Sequence, residues 1–111
     1  MLKHDPSLDD VFQGLANPTR RAVIETLNRG PASVGALAAP FDMALPSFMQ
    51  HLQVLESCEL VRSTKTGRVR TVELVPETLR KTEGWLAEQR ALWTQRLDQL
   101  DTYVKTLESQ R

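Results

Sequence analysis

Cysteine occurs once in this chain, at position 58, so neither an internal disulfide nor a CxxC redox pair can form, which fits a reducing compartment. Histidine occurs only at positions 4 and 51, and a histidine without a carboxylate or thiol companion is a poor catalyst. Long apolar runs are missing too: the longest are a few residues, against the ~20 needed to cross a bilayer, and MLKHDPSLDD has no apolar core of a signal peptide. The expectation is a cytoplasmic protein with no membrane partner. There is no glycine-rich phosphate loop, no metal-ligand spacing and no nucleophile with a matched base, so neither an enzyme nor a cofactor is expected. Nor is there an excess of either charge, because 14 basic and 14 acidic residues cancel. That argues against a non-specific nucleic-acid coat protein, and any DNA binding must come from local charge.

What is present is unevenly spread. From Arg62 to Arg70 there are four basic residues and no acid, whereas residues 1–43 carry four basic and five acidic ones. The 111 residues suit one domain, or one domain with a helical arm. A chain of this size buries roughly 65% of its unfolded surface, a thin core that gains from a partner subunit.

Caps and periodicity give the elements. Ser7 with Asp10 three residues later starts a short amphipathic helix with Leu8, Val11, Phe12 and Leu15 at i, i+3, i+4 and i+7, ending at Gly14 to Ala16. Asn17-Pro18 opens a second helix to Asn28, with Ala22, Val23 and Leu27 inward and a stop at Arg29-Gly30-Pro31. Ser33 caps a third, about Val34 to Ala39, and a fourth runs from Leu45 to Ser57. At 100° per residue, Leu45, Phe48, Leu52 and Leu55 fall within about 80° of one another, which makes them the core side. The opposite side holds Pro46, Ser47, Gln50, Gln53 and Val54: small, neutral and able to hydrogen-bond. Two β-rich runs around Thr66-Gly67 then read as an antiparallel hairpin with cations at its tip. Pro76 restarts helix, with Gly84 a possible break. Over Trp85 to Leu107 the residues Leu86, Trp93, Leu97, Leu100, Val104 and Leu107 recur by sevens and fours, flanked by Trp85, Leu92 and Tyr103. A helix about 35 Å long cannot be covered by so small a body, and a second copy of itself is the expected cover.

The fold class expected is mainly α with a small β-hairpin. It is a winged helix-turn-helix domain over residues 1–80, with a recognition helix at about 44–57 and a wing at 60–75, followed by a C-terminal dimerisation helix over 81–111. A polar-faced helix fits the major groove, about 12 Å wide, while a basic hairpin reaches the adjacent backbone or minor groove.

The segments FQGLANPTRRAVIETL, SVGALAAPFDMALPSFMQHLQVLE, LVRSTKTGRVRTVEL and WLAEQRALWTQRLDQLDTYV resemble the ArsR-type winged helix-turn-helix repressors over essentially the whole chain. The resemblance implies a homodimer that binds double-stranded DNA at an inverted-repeat operator and is released by a signal. Matched residue by residue, it implies DNA contacts from Pro46, Ser47, Gln50, His51 and Gln53 and from Lys65, Arg68 and Arg70 on the wing. Gln50 is the first choice for base readout, since a carboxamide pairs bidentately with adenine. The implied dimer interface takes Leu8, Val11 and Phe12 with Leu86, Trp93, Leu97, Leu100, Val104 and Leu107.

The chain also departs from the family pattern. The third helix has no cysteine and the last no histidine, so neither metal site of the metal-sensing members can be assembled and no metal is expected. Ala44 stands where a serine or threonine cap is usual, with Asp42 as a possible substitute. Glu59 stands where glycine is usual at a left-handed turn.

Several residues keep two readings. His51 is a DNA contact or the partner in a local structural hydrogen bond. Arg20 and Arg21 are phosphate contacts or ties within the fold. Cys58 is a small buried hydrophobe or a redox sensor, and Trp85, Trp93 and Tyr103 are interface core or the lining of a small-molecule pocket. The basic wing is a DNA contact or a solvated edge that resists strand pairing. For the whole chain, the alternative to a DNA-binding regulator is a winged-helix protein–protein interaction module that does not bind DNA.

Overall fold

The computed structural model describes residues 7–110. The elements run α1 (Leu8–Leu15), α2 (Pro18–Leu27), β1 (Ala32–Ser33), α3 (Val34–Ala38), α4 (Leu45–Ser57), β2 (Val61–Thr66), β3 (Val69–Leu74) and α5 (Pro76–Ser109). The chain divides into two compact units, Met1–Leu79 and Arg80–Arg111.

In the first unit, caps fix where the helices start. The Ser7, Asn17 and Ser33 side chains accept from the amides of Asp10, Arg20 and Ala36, each three residues on, filling an orphan donor at each N-terminus. Helix α4 has no such bond: Ala44 has no side-chain acceptor and Asp42 does not replace it. Its other end is a Schellman closure, in which the Leu60 amide donates to Leu55 O and the Glu59 amide to Glu56 O, each at 3.0 Å. Glu59 takes the left-handed position at φ 58°.

Phe48, Leu52 and Leu55 of α4 form the centre of the core with Val23, Leu37, Leu60, Val61 and Val72. Burying each such side chain contributes roughly 1.5–3 kcal/mol. Two expectations need correction. Leu45 is 55% exposed, not core. As the first residue of α4 its side chain leans back toward the N-terminus, past the end of the core, and Phe41 instead stacks on Phe48 at 5.7 Å. Val11 is 2% exposed, so the protomer's own core consumes it and it drops out of the expected dimer interface, while Phe12, about 100° round the same helix, stays exposed.

The hairpin is the outer part of a three-stranded antiparallel sheet in the order β1-β3-β2, with Ala32 opposite Val72 and Ser33 opposite Thr71. Strand β1 has only two residues and was not expected. The β2–β3 turn places Gly67 at φ 62° between the paired Thr66 and Val69, a tight turn that glycine enters without a Cβ penalty.

Helix α5 is continuous through Gly84, which does not break it. Leu86, Trp93, Leu97, Leu100, Val104 and Leu107 lie within an arc of about 80° and are between 44% and 62% exposed. Among the described residues no helix is long and apolar enough to cross a membrane.

Candidate nucleic-acid interface

Helix α4 presents its outer face as its spacing demands. With Phe48, Leu52 and Leu55 turned inward, Pro46, Ser47, Gln50, Gln53 and Val54 are exposed. None of the five is charged, so the face carries hydrogen-bonding and apolar surface rather than solvated ions. One end of that face opens on a groove of about 660 Å³ toward α1, lined by Asp10, Gln13, Gln50, Gln53, Val54, Ser57 and Cys58. Burial pushes the Cys58 thiol up from its ordinary value of 9.0, and its Sγ donates weakly to Leu55 O at 3.5 Å. That favours the reading of a small buried hydrophobe.

The wing rises on the other flank of α4. Its sheet face alternates with period two, so Val61, Ser63 and Lys65 share a side with Leu74, Val72 and Arg70. At the root that side is core: Val61 and Val72 are buried. Toward the tip the same side becomes cationic, because Lys65 is directly opposite Arg70. Like charges in direct register destabilise a sheet pair, and nearby anions remove that cost. The two line a groove of about 490 Å³ with Arg68, Val69, Met49 of α4 and Ser33, Val34 and Gly35. Arg62 is occupied differently, in an ion pair with Glu73 at 2.9 Å. Among the described residues no carboxylate lies within ion-pair distance of Lys65, Arg68 or Arg70. The wing root is tied to α4 by Ser63 Oγ, which donates to Glu56 Oε1 at 2.5 Å.

This arrangement has relatives. A helix-turn-helix domain model matches residues 15–64. The HTH-type transcriptional regulator Rv2034 of Mycobacterium tuberculosis is 41% identical over 73 residues, 66% of this chain and 68% of its own. The transcriptional repressor SdpR of Bacillus subtilis is 27% identical over 79 residues, 71% of this chain and 88% of its own. The crystal structure of an ArsR family transcriptional regulator, RHA00566, matches with a TM-score of 0.77 and 52% identity over 85% of this chain and 97% of that one. The chain belongs to the ArsR family of transcriptional regulators.

In this ArsR-family regulator the arginines that open α2 are structural ties. Arg20 Nε donates to Gly14 O and Nη2 to Gln13 O, both at 2.9 Å, while Nη1 donates to His51 Nδ1 at 3.0 Å. Arg21 Nη1 donates to Leu15 O at 2.7 Å. Carbonyls at the end of α1 thus accept from cations, Gln13 O in addition to the Ala16 amide, which also suits the negative end of the helix dipole. The sequence leaves open whether these arginines meet phosphate; the regulator uses them internally. Nor does the sequence disclose the Arg20–His51 pair, since no periodicity reports a contact between residues 31 apart. His4 lies outside the described residues.

Proposed function

We propose that this regulator is a cytoplasmic homodimeric repressor that lays α4 of each protomer in the major groove of an inverted-repeat operator and sets its wings on the flanking phosphates. The observation that carries the reading is the Lys65–Arg70 register, two like charges held opposite each other beside Met49 and Arg68 where α4 adjoins the wing. The exposed stripe of α5 supports dimerisation, as separately do the exposed Phe12 and half-buried Leu8 of α1, and SdpR is itself a transcriptional repressor. Relatives of this chain are bacterial, and bacterial duplex DNA lies in the cytoplasm.

Roles divide by chemistry. Gln50 reads a base edge, Ser47 and Gln53 take a base edge or phosphate, and Pro46 makes van der Waals contact. Lys65, Arg68 and Arg70 neutralise phosphates, which sets affinity and its salt dependence rather than sequence.

Selection of random duplexes on the purified protein tests this, and two half-sites about one helical turn apart, or a multiple of it, are expected. Gln50→Ala is expected to relax preference at one position per half-site, and equal loss on every operator variant contradicts its role. Failure to enrich any duplex favours the protein-interaction module.

A further inference from the structure

His51 sits on the flank of α4, about 60° from Phe48 and 100° from Gln50 round the helix, half-buried between the core and the outward face. Its Nδ1 meets Arg20 Nη1 at 3.0 Å. A guanidinium carries five donors and no acceptor, so Nδ1 must be the acceptor, and in the neutral ring the hydrogen is on Nε2. Arg20 cannot swing away cheaply, because its Nε and Nη2 are held by Gly14 O and Gln13 O. Nε2 has no hydrogen-bond partner among the described residues, and no buried side-chain nitrogen or oxygen lacks one. Nε2 is therefore open to solvent.

We propose that Arg20 is a positioning residue that holds His51 in the Nε2–H tautomer, so that the recognition helix presents one fixed donor to a phosphate oxygen of bound DNA. The inference rests on the DNA-binding reading above and assigns a job to a residue that would otherwise be a tie between α1, α2 and α4. A phosphate is the fitting acceptor because His51 lies on the helix flank, and the flank of a helix in the major groove meets the backbone wall, while Gln50 and Gln53 lie nearer the centre of the outward face. Arg20 acts without touching DNA. Its rigid fork matters: a lysine at position 20 keeps the charge but cannot hold two carbonyls and the ring nitrogen together.

The first measurement is a long-range proton–nitrogen NMR spectrum of the free full-length protein with the His51 ring neutral. A protonated Nε2 and a bare Nδ1 are expected; a proton on Nδ1 overturns the proposal. The second is a double-mutant cycle on a duplex selected by the wild-type protein, at fixed salt. His51→Phe is expected to weaken binding about tenfold, equally on all operator variants, because a hydrogen bond to a charged group is removed. Arg20→Met is expected to weaken binding several-fold in the wild-type background and not at all in the His51→Phe background. Equal cost in both backgrounds means that Arg20 meets DNA directly, or acts only through stability, and overturns the proposal. So does unchanged binding by His51→Phe. Should Arg20→Met not fold, the spectrum and His51→Phe still decide the matter. If the wild-type protein selects no duplex, the DNA reading falls while the tautomer assignment is judged by the spectrum alone.

Discussion

At the scale of single residues, two positions show how local geometry overrides composition. Glu59 occupies a left-handed site at φ 58° inside an otherwise complete Schellman closure. Glu59→Gly is expected to stabilise the fold by about 0.5–1 kcal/mol, since glycine enters that region without a Cβ clash. Urea titration checks it, and an unchanged or lower midpoint contradicts it. The departure from the family's glycine was legible in the sequence because the turn follows directly on a clear helix. Gly14 was not legible. A Cβ there would meet Cys58 Sγ at 2.8 Å and a Leu60 methyl at 3.2 Å, a close approach created only when α1 packs on the end of α4. Gly14→Ala is expected to destabilise by about 1–2 kcal/mol despite its better helix propensity, because the packed site cannot accept the extra carbon. In a Cys58→Ala background the obstructing sulfur is gone and the cost is expected to shrink by more than about 0.5 kcal/mol, so additive losses contradict this explanation.

At the scale of elements, four of the five described helices were readable because they carry their own punctuation, Ser7, Asn17-Pro18 and Ser33 as caps and Pro76 as a restart, whereas α4, which has no cap bond, was readable from its apolar period. Features that depend on a distant partner were not. Strand β1 exists only because β3 offers it an edge, and two residues cannot announce a strand. Leu45 satisfied the helical period of the core but lies beyond the core's end, a fact of packing rather than of period. Gly84 read as a break, yet a glycine costs a helix only about 1 kcal/mol and long flanking segments of good helix formers outweigh that. A Cβ at Gly84 would meet nothing within 4 Å, and the position lies opposite the apolar stripe of α5. Gly84→Ala is therefore expected to raise stability by roughly 0.5–1 kcal/mol without changing self-association. Thermal melts with sedimentation check both halves, and a changed mass contradicts the placement of Gly84 away from the interface.

At the scale of the whole molecule, the proposed symmetric dimer draws on the uncharged outer face of α4, the cationic wing and the exposed apolar stripe of α5. Leu97→Glu, which sets a carboxylate in the middle of that stripe, is expected to give single subunits by sedimentation. It is also expected to lower operator affinity on the order of a hundredfold, since each half-site is then bound alone. A variant that remains dimeric moves the interface elsewhere. The central claim is that the wing cations meet phosphate, and salt dependence tests it most directly. In a plot of log affinity against log salt on the selected duplex, replacing Lys65, Arg68 and Arg70 together by alanine is expected to flatten the slope by about 0.9 for each phosphate left without its cation. An unchanged slope, whether affinity falls or holds, would contradict the claim.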